Sequence, residues 1–351
     1  MRVLIIKPSS LGDVIQTLPV LDYLHQAVPG IEVDWVIEES LQELLAGHPQ
    51  LSQLHPVPAA LWRKNRFAIK TWRGVSALQR TLCARAYDLV FDLQGDLVSG
   101  VISRFSGCAD RLGFEREEVK EPLNTLCNTR LVPVRRQDFH NTDRCLRVVS
   151  IPFAKDFRAM SLAGHLETSP EDDAYAETLL ATLADGLVFL FHHGAAQPTE
   201  AWSEKGWTAL GKEVLDRFHD ASILFPWSNE AERQAASSIA AAIGPGCRVL
   251  DRLSLKGFAA LLKKVDLMVG GDAGLVQMAA TLGTPTVSFY RATSAKKSAP
   301  RGDAHVALQS PMHCAGCLRA FCDKDAQCRD SIKVEAVMGG IDGLLSHPGG
   351  G

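Results

Sequence analysis

Two Rossmann-like α/β domains facing one cleft are the architecture this sequence predicts, and three observations predict it. Apolar strand-like runs alternate with helical patterns along nearly the whole chain. A buried-type run at residues 3–6 feeds a short Ser/Gly loop and then a helix start, which is a ligand-binding corner in parallel α/β sheets. The same rhythm restarts near residue 187, after a weakly periodic stretch at 153–170 that reads as a linker. The expected domains are 1–165 and 171–330, with a last helix at 331–346 expected to pack back on the first domain.

The first domain opens with Val3, Leu4, Ile5 and Ile6, a run suited to a central strand covered on both faces. Pro8 stops it, and Ser9, Ser10 and Gly12 supply turn and cap chemistry. Asp13 then opens a helix whose apolar positions Val14, Leu18, Leu21 and Leu24 recur at helical spacing. The loop has one glycine and no G-K-[ST], so it is neither a dinucleotide fingerprint nor a P-loop. Asp13 reads equally as a helix cap and as a general base. Strands follow at 31–37, 54–57 and 89–93. Asp92, Gln94 and Gly95 end the last of these, and Asp92 reads as either a cap or a group facing ligand.

Residues 62–86 differ in character. They carry Arg63, Lys64, Arg66, Lys70, Arg73, Arg80 and Arg85, no acid, and the interleaved aromatics Trp62, Phe67 and Trp72. Such a surface suits an anionic, lipid-anchored partner better than a plain solvated helix face, because Lys and Arg pair with phosphates and carboxylates while aromatics favour the headgroup zone. The net charge of −3 argues against a general nucleic-acid binder.

In the second domain, strands are expected at 187–191, 223–225, 249–250, 267–269 and 286–290. Gly270, Gly271, Asp272, Ala273 and Gly274 form a Gly-rich strand-to-helix turn of the kind that offers backbone N–H groups to phosphate. Cys314, Cys317, Cys322 and Cys328 form C-x2-C-x4-C-x5-C, a spacing compatible with a structural zinc or iron, and equally with a loop of reduced thiols. Hydrophobic residues make up 46% of the chain and charged residues 22%, which fits a globular core rather than disorder. No run of about 18 apolar residues exists. Met1 is followed by Arg2 and a strand rather than by a signal-peptide core. A cytoplasmic protein is expected. The tail after Ser346 is expected to be disordered.

K-x-S-S-L-G-D-V-x-x-T-L-P at the start resembles the opening of the bacterial ADP-heptose:lipopolysaccharide heptosyltransferases, inverting glycosyltransferases of family 9, with heptosyltransferase I the nearest type. The resemblance continues in order through VDWVIEE (33–39), YDLVFDLQG (87–95), KEPLNTL (120–126), FPW (225–227) and GGDAGLVQMAATLGTPTVSFY (270–290). It implies the GT-B fold and transfer of heptose from ADP-heptose to the Kdo region of the lipopolysaccharide inner core. It also implies peripheral contact with the inner face of the inner membrane and no cofactor for catalysis. Asp13 is then the catalytic base. Ser10, Arg63, Lys64, Arg66, Asp92, Gln94 and Lys120 would meet the acceptor. Gly12, Glu230, Asp272, Ala273, Gly274, Gln277 and Arg291 would meet the donor.

The chain departs from the family pattern at several points, among them Arg291-Ala292-Thr293 where G-P-T is usual and Lys120 in place of an Arg. Ala273 and Gln277 stand where D-[TS]-G-x-x-H is usual, and Glu200 stands where a Lys is usual. A different nucleotide-sugar donor, or a degenerate non-catalytic relative, are the alternatives these changes leave open.

Overall fold

The structure, a computed structural model, describes residues 1–346 of the 351-residue chain. The tail beyond Ser346, expected to be disordered, lies outside the described residues. The chain divides into two compact units, Met1–Glu167 and Thr168 onward.

In the first unit, β1 (Arg2–Ile6), β2 (Glu32–Glu38), β3 (Gln53–Val57), β4 (Leu89–Asp92), β5 (Arg111–Phe114) and β6 (Arg130–Val132) form one parallel sheet in the order β3-β2-β1-β4-β5-β6. Val3 to Ile6 are fully buried, as a central strand with both faces covered requires. One face packs Leu4, Ile6, Val36 and Val90 against Trp62, Val75, Leu82 and Ile102. Trp62, at the end of the helix Ala59–Lys64, lies against Gly74 of the helix Ile69–Arg85. A Cβ at position 74 would come within 2.9 Å of the indole. This contact explains a glycine inside a helix, where it costs about 1 kcal/mol relative to alanine.

The second unit repeats the plan. Its strands are β7 (Val188–His192), β8 (Ser222–Phe225), β9 (Cys247–Val249), β10 (Leu267–Gly271), β11 (Thr286–Tyr290) and β12 (His305–Gln309), all parallel, in the order β12-β11-β10-β7-β8-β9. Its core is aromatic, with Trp202 5.3 Å from both Trp207 and Phe289 between ring centroids. The last helix, Val334–Ser346, corrects the expectation that it joins the first unit. Val337, Met338 and Ile341 are buried in the aromatic core of the second unit. The apolar face of this helix is thereby satisfied on β11 and β12, with Gly340 close to Val287 and Val306.

Both sheets have the doubly wound order in which the chain returns to the far side of its first strand. That reversal lies between β1 and β4 in the first unit, and between β7 and β10 in the second. Ligands of such sheets bind beyond the carboxyl ends at that point. The loops there are residues 7–10 and 93–96 in one unit, and 193–200 and 272–273 in the other.

Candidate functional site

In the first unit the two loops are tied together. The Lys7 ammonium donates to the Leu93 carbonyl at 3.0 Å, and the Ser9 N–H donates to Gln94 Oε1 at 3.3 Å. Asp13 lies in the first turn of the helix Leu11–Thr17, half-buried. Its Oδ2 accepts the Ser10 N–H at 3.2 Å and the Ser10 hydroxyl at 3.3 Å. Burial by itself raises the Asp13 carboxyl. The Lys7 and Lys120 ammonium groups and the Ser10 bonds outweigh it and hold the carboxyl below the ordinary carboxylate range. The side chain therefore caps the helix and also stays ionised near two cations.

A cavity of about 670 Å³ opens beside it. Its polar wall holds Ser10, Asp13, Arg63, Arg66, Gln94, Asp96 and Lys120, and its apolar wall holds Trp62, Phe67, Trp72, Val98, Val101 and Leu123. Arg63 is braced, with Nε on Asp96 at 2.9 Å and Nη2 on the Ser9 hydroxyl at 2.8 Å. Asp96 caps the helix Leu97–Phe105 through the Ser99 N–H. Arg66 approaches Glu121 at 3.8 Å. The cavity thus holds three cations, of which Arg63 and Arg66 face Asp96 and Glu121, together with the Asp13 carboxylate and a hydrophobic wall.

Two residues expected here lie elsewhere. Asp92 is 0% exposed and does not line the cavity. It accepts the Gln94 and Gly95 N–H groups and the Asn124 amide at 2.6 Å. Burial raises its carboxyl despite these bonds. These bonds fold the loop that carries Gln94. Lys64 is exposed and outside the cavity, because the helix turns it away from the side that carries Arg63. Gly12, expected at the donor, sits in the first turn of the helix Leu11–Thr17. The apolar residues Val98, Val101 and Leu123 were not anticipated, since nothing in an apolar side chain distinguishes a pocket wall from core.

In the second unit, Asp272, Ala273 and Gly274 lie where β10 meets the helix Gly274–Thr281. Asp272 accepts the Ser298 hydroxyl at 3.0 Å. The Glu200 carboxyl is raised by burial and by the charge of Asp272, which places the two acids near each other.

Two expected donor residues are turned into the fold, and a third is paired on its own helix. Arg291 is 1% exposed, bonds the Ala201 carbonyl, and pairs with Asp325 at 2.6 Å. Its charge is spent inside the fold. Gln277 is buried and donates to the Ser298 carbonyl at 2.6 Å, anchoring the turn Ala295–Ser298. Glu230 is 63% exposed and pairs with Arg233 at 3.5 Å, one turn along its own helix.

The acid that does face the end of β7 is Glu232. A Cβ at Gly194 would lie 3.1 Å from its carboxyl. Ser228 donates to it twice at 2.7 Å, and His193 Nε2 donates to its backbone carbonyl at 2.9 Å. Burial works to raise this carboxyl, but the Ser228 bonds hold it below its ordinary value. The signal was the N-x-x-E pattern of Asn229 and Glu232, an N-cap followed by an acid at the third helical position. His192 beside it is driven by burial down to about 4 and is neutral.

The four spaced cysteines are free thiols. Among the described residues no group of three or more His, Cys, Asp or Glu side chains comes together as ion ligands. The segment with the first three is clipped down by backbone bonds from Gly316 and Leu318 to the Arg291 and Ala292 carbonyls, while Cys328 sits on the helix Asp325–Asp330 against Ser310.

Two parallel, doubly wound units in one chain are the arrangement of the GT-B fold. The chain belongs to glycosyltransferase family 9 (heptosyltransferase), whose model matches residues 75–326. It is 35% identical to lipopolysaccharide heptosyltransferase 1 of Pseudomonas aeruginosa over 92% of this chain and 87% of that protein. It is 30% identical to the Escherichia coli K12 protein of the same name, over 84% and 88%. Among solved structures, Escherichia coli heptosyltransferase WaaC with ADP superposes with a TM-score of 0.73 at 26% identity, over 97% of this chain and 99% of that one. Escherichia coli ADP-heptose lps heptosyltransferase II shares the fold, with a TM-score of 0.75 at 19% identity over 99% and 100%.

Proposed function

We propose that this enzyme transfers heptose from ADP-heptose, with inversion, to a hydroxyl on the Kdo-bearing inner core of a lipid-anchored lipopolysaccharide precursor. The observation that carries the reading is the first-unit cavity, where Asp13 stands ionised beside Lys120, Arg63 and Arg66. An acceptor rich in carboxylates and phosphates suits Lys120 and the guanidinium N–H groups that Arg63 and Arg66 keep beyond their contacts with Asp96, Ser9 and Glu121. Asp13 takes the proton of the attacking hydroxyl. The new bond joins that oxygen to the anomeric carbon as the bond from the anomeric carbon to the diphosphate oxygen breaks, and ADP departs with the electron pair. A single base suffices for one displacement.

The donor is assigned to the second unit, with Glu232 on ribose hydroxyls and the diphosphate at the N-terminus of the helix Gly274–Thr281. No residue of this scheme calls on a bound metal. The heptosyltransferase reading places the enzyme in the cytoplasm at the inner face of the inner membrane. No helix among the described residues is long and apolar enough to cross a membrane.

The test is incubation with ADP-heptose and a deacylated Kdo-containing acceptor, following ADP release and the anomeric configuration of the product by NMR. An inverted heptoside is expected. Turnover with a UDP- or GDP-sugar and none with ADP-heptose would contradict the donor assignment.

A further inference from the structure

At the reversal point of the second unit, several side chains that could donate to a phosphate are already engaged. Arg291 is buried against Asp325, and Glu200 is an acid. In the loop after β7, Gly194, Ala195 and Ala196 carry no polar side chain. The Thr199 hydroxyl is committed to the Arg319 carbonyl at 2.6 Å, and His193 Nε2 to the Glu232 carbonyl at 2.9 Å. His192, the last residue of β7, differs from these. Among the described residues, its buried Nδ1 has no hydrogen-bond partner, and Thr293 Oγ1, just past β11, is orphaned likewise. The two residues end the strands on either side of β10. Buried polar atoms without partners are rare in folded proteins, and each calls for an explanation.

The surroundings of His192 supply one. It lies opposite Gly270 of β10, where a Cβ would come within 3.4 Å of the His192 Cβ. The helix Gly274–Thr281, whose N-terminal N–H groups are assigned to the diphosphate, begins just beyond that point. On its other side, the imidazole edge that carries both nitrogens faces Gly194. A Cβ at 194 would lie 3.1 Å from His192 Cε1 and 3.1 Å from the Glu232 carboxyl. Glycine at 194 therefore keeps a gap open between the imidazole and the carboxylate. In ADP the α-phosphate is bonded to the ribose on one side and to the β-phosphate on the other. With the ribose at Glu232 and the diphosphate reaching the helix at Gly274, the α-phosphate falls between them, beside His192.

We propose that His192 binds the α-phosphate of the donor, its imidazole N–H donating to a phosphate oxygen. The inference deepens the proposed function and rests on its donor assignment. Burial keeps the free ring neutral, with His193 and Glu232 the titratable groups around it. His192 therefore acts as a hydrogen-bond donor and not as a cation, in a site whose arginine is paired elsewhere.

The test is calorimetric binding of adenosine, AMP and ADP by the parent, by His192→Leu and by His192→Gln. Leucine keeps apolar bulk and removes the donor, while glutamine restores an N–H at about the reach of Nε2. His192→Leu should weaken AMP and ADP by the same factor, about tenfold, and leave adenosine within about twofold of the parent. His192→Gln should recover most of the lost affinity. Should the leucine variant fail to fold, the parent itself carries the test. With isotope-labelled histidine, the His192 ring-nitrogen resonances, identified by their loss in the glutamine variant, should shift on addition of AMP and stay in place with adenosine.

Equal loss for adenosine, AMP and ADP would overturn the inference and make His192 a structural support. Loss for ADP alone would overturn it in favour of the β-phosphate, and ring resonances that ignore AMP would overturn it outright. A parent that binds ADP while His192→Leu binds it equally well removes only the role of His192. A parent that binds no adenine nucleotide removes the donor assignment with it.

Discussion

The two reversal points have the same topology and opposite economies of charge. At the first, between β1 and β4, Asp13, Arg63, Arg66 and Lys120 all reach one cavity. At the second, between β7 and β10, Arg291 is consumed by Asp325 and the Ala201 carbonyl, and two acids, Glu200 and Asp272, stand near each other. Arg63 and Arg66 also have carboxylate partners, Asp96 and Glu121, but both line the cavity, whereas Arg291 is buried. The second has the backbone N–H groups of the turn at Gly274, the Glu232 carboxylate beside Gly194, and an arginine already paired. A side chain's charge therefore says little about a site until its partner is known.

The sharpest test of that contrast is stability. Arg291→Ala would leave the Ala201 carbonyl without its donor and Asp325 with Arg329 alone, and should cost about 2 kcal/mol, seen as a lower denaturation midpoint. A folded, fully stable Arg291→Ala protein with weakened ADP binding would return Arg291 to the donor site. Next in size, Glu232→Gln should weaken ADP-heptose binding by about tenfold by calorimetry, as loss of a charge-assisted bond does, while Glu230→Gln should bind like the parent. The reverse order would move the ribose contact back to Glu230.

The smallest effect concerns pH. Asp13 acts as the ionised form, and its carboxyl is held low, so activity is lost only as pH falls through that lowered value. The acid limb of the rate profile should lie below the ordinary carboxylate range. Lys120→Gln removes one of the charges responsible and should shift the limb upward. An unmoved limb would show that Lys120 does not act on Asp13.

How much of this was legible in the sequence follows from where each property is encoded. The strands were visible because burial on both faces leaves unbroken apolar runs such as 3–6 and 187–191. The β1 corner was visible because Ser9, Ser10, Gly12 and Asp13 are contiguous, and topology alone puts them at a strand's carboxyl end. The fates of Asp92, Gln277 and Arg291 were not visible. Each is a polar residue in a motif that looks like a ligand contact, yet each is turned inward by a partner distant in sequence: Asn124, Ser298 and Asp325. The last helix was misplaced for a related reason, since its apolar face is equally suited to either unit and only the aromatic core of the second completes it. The cysteine spacing specified which thiols could meet, but backbone bonds from 316 and 318 fix where they go.

The central claim is that Asp13 is the base. Asp13→Asn keeps the size of the side chain and an acceptor oxygen for Ser10 but removes the charge, and calorimetric ADP binding measured beside single-turnover transfer tests the claim most directly. The account predicts that transfer falls by about 10² to 10⁴ while ADP binding stays within twofold, roughly, of the parent. Parallel loss of binding and transfer, or transfer near the parent rate, would contradict it.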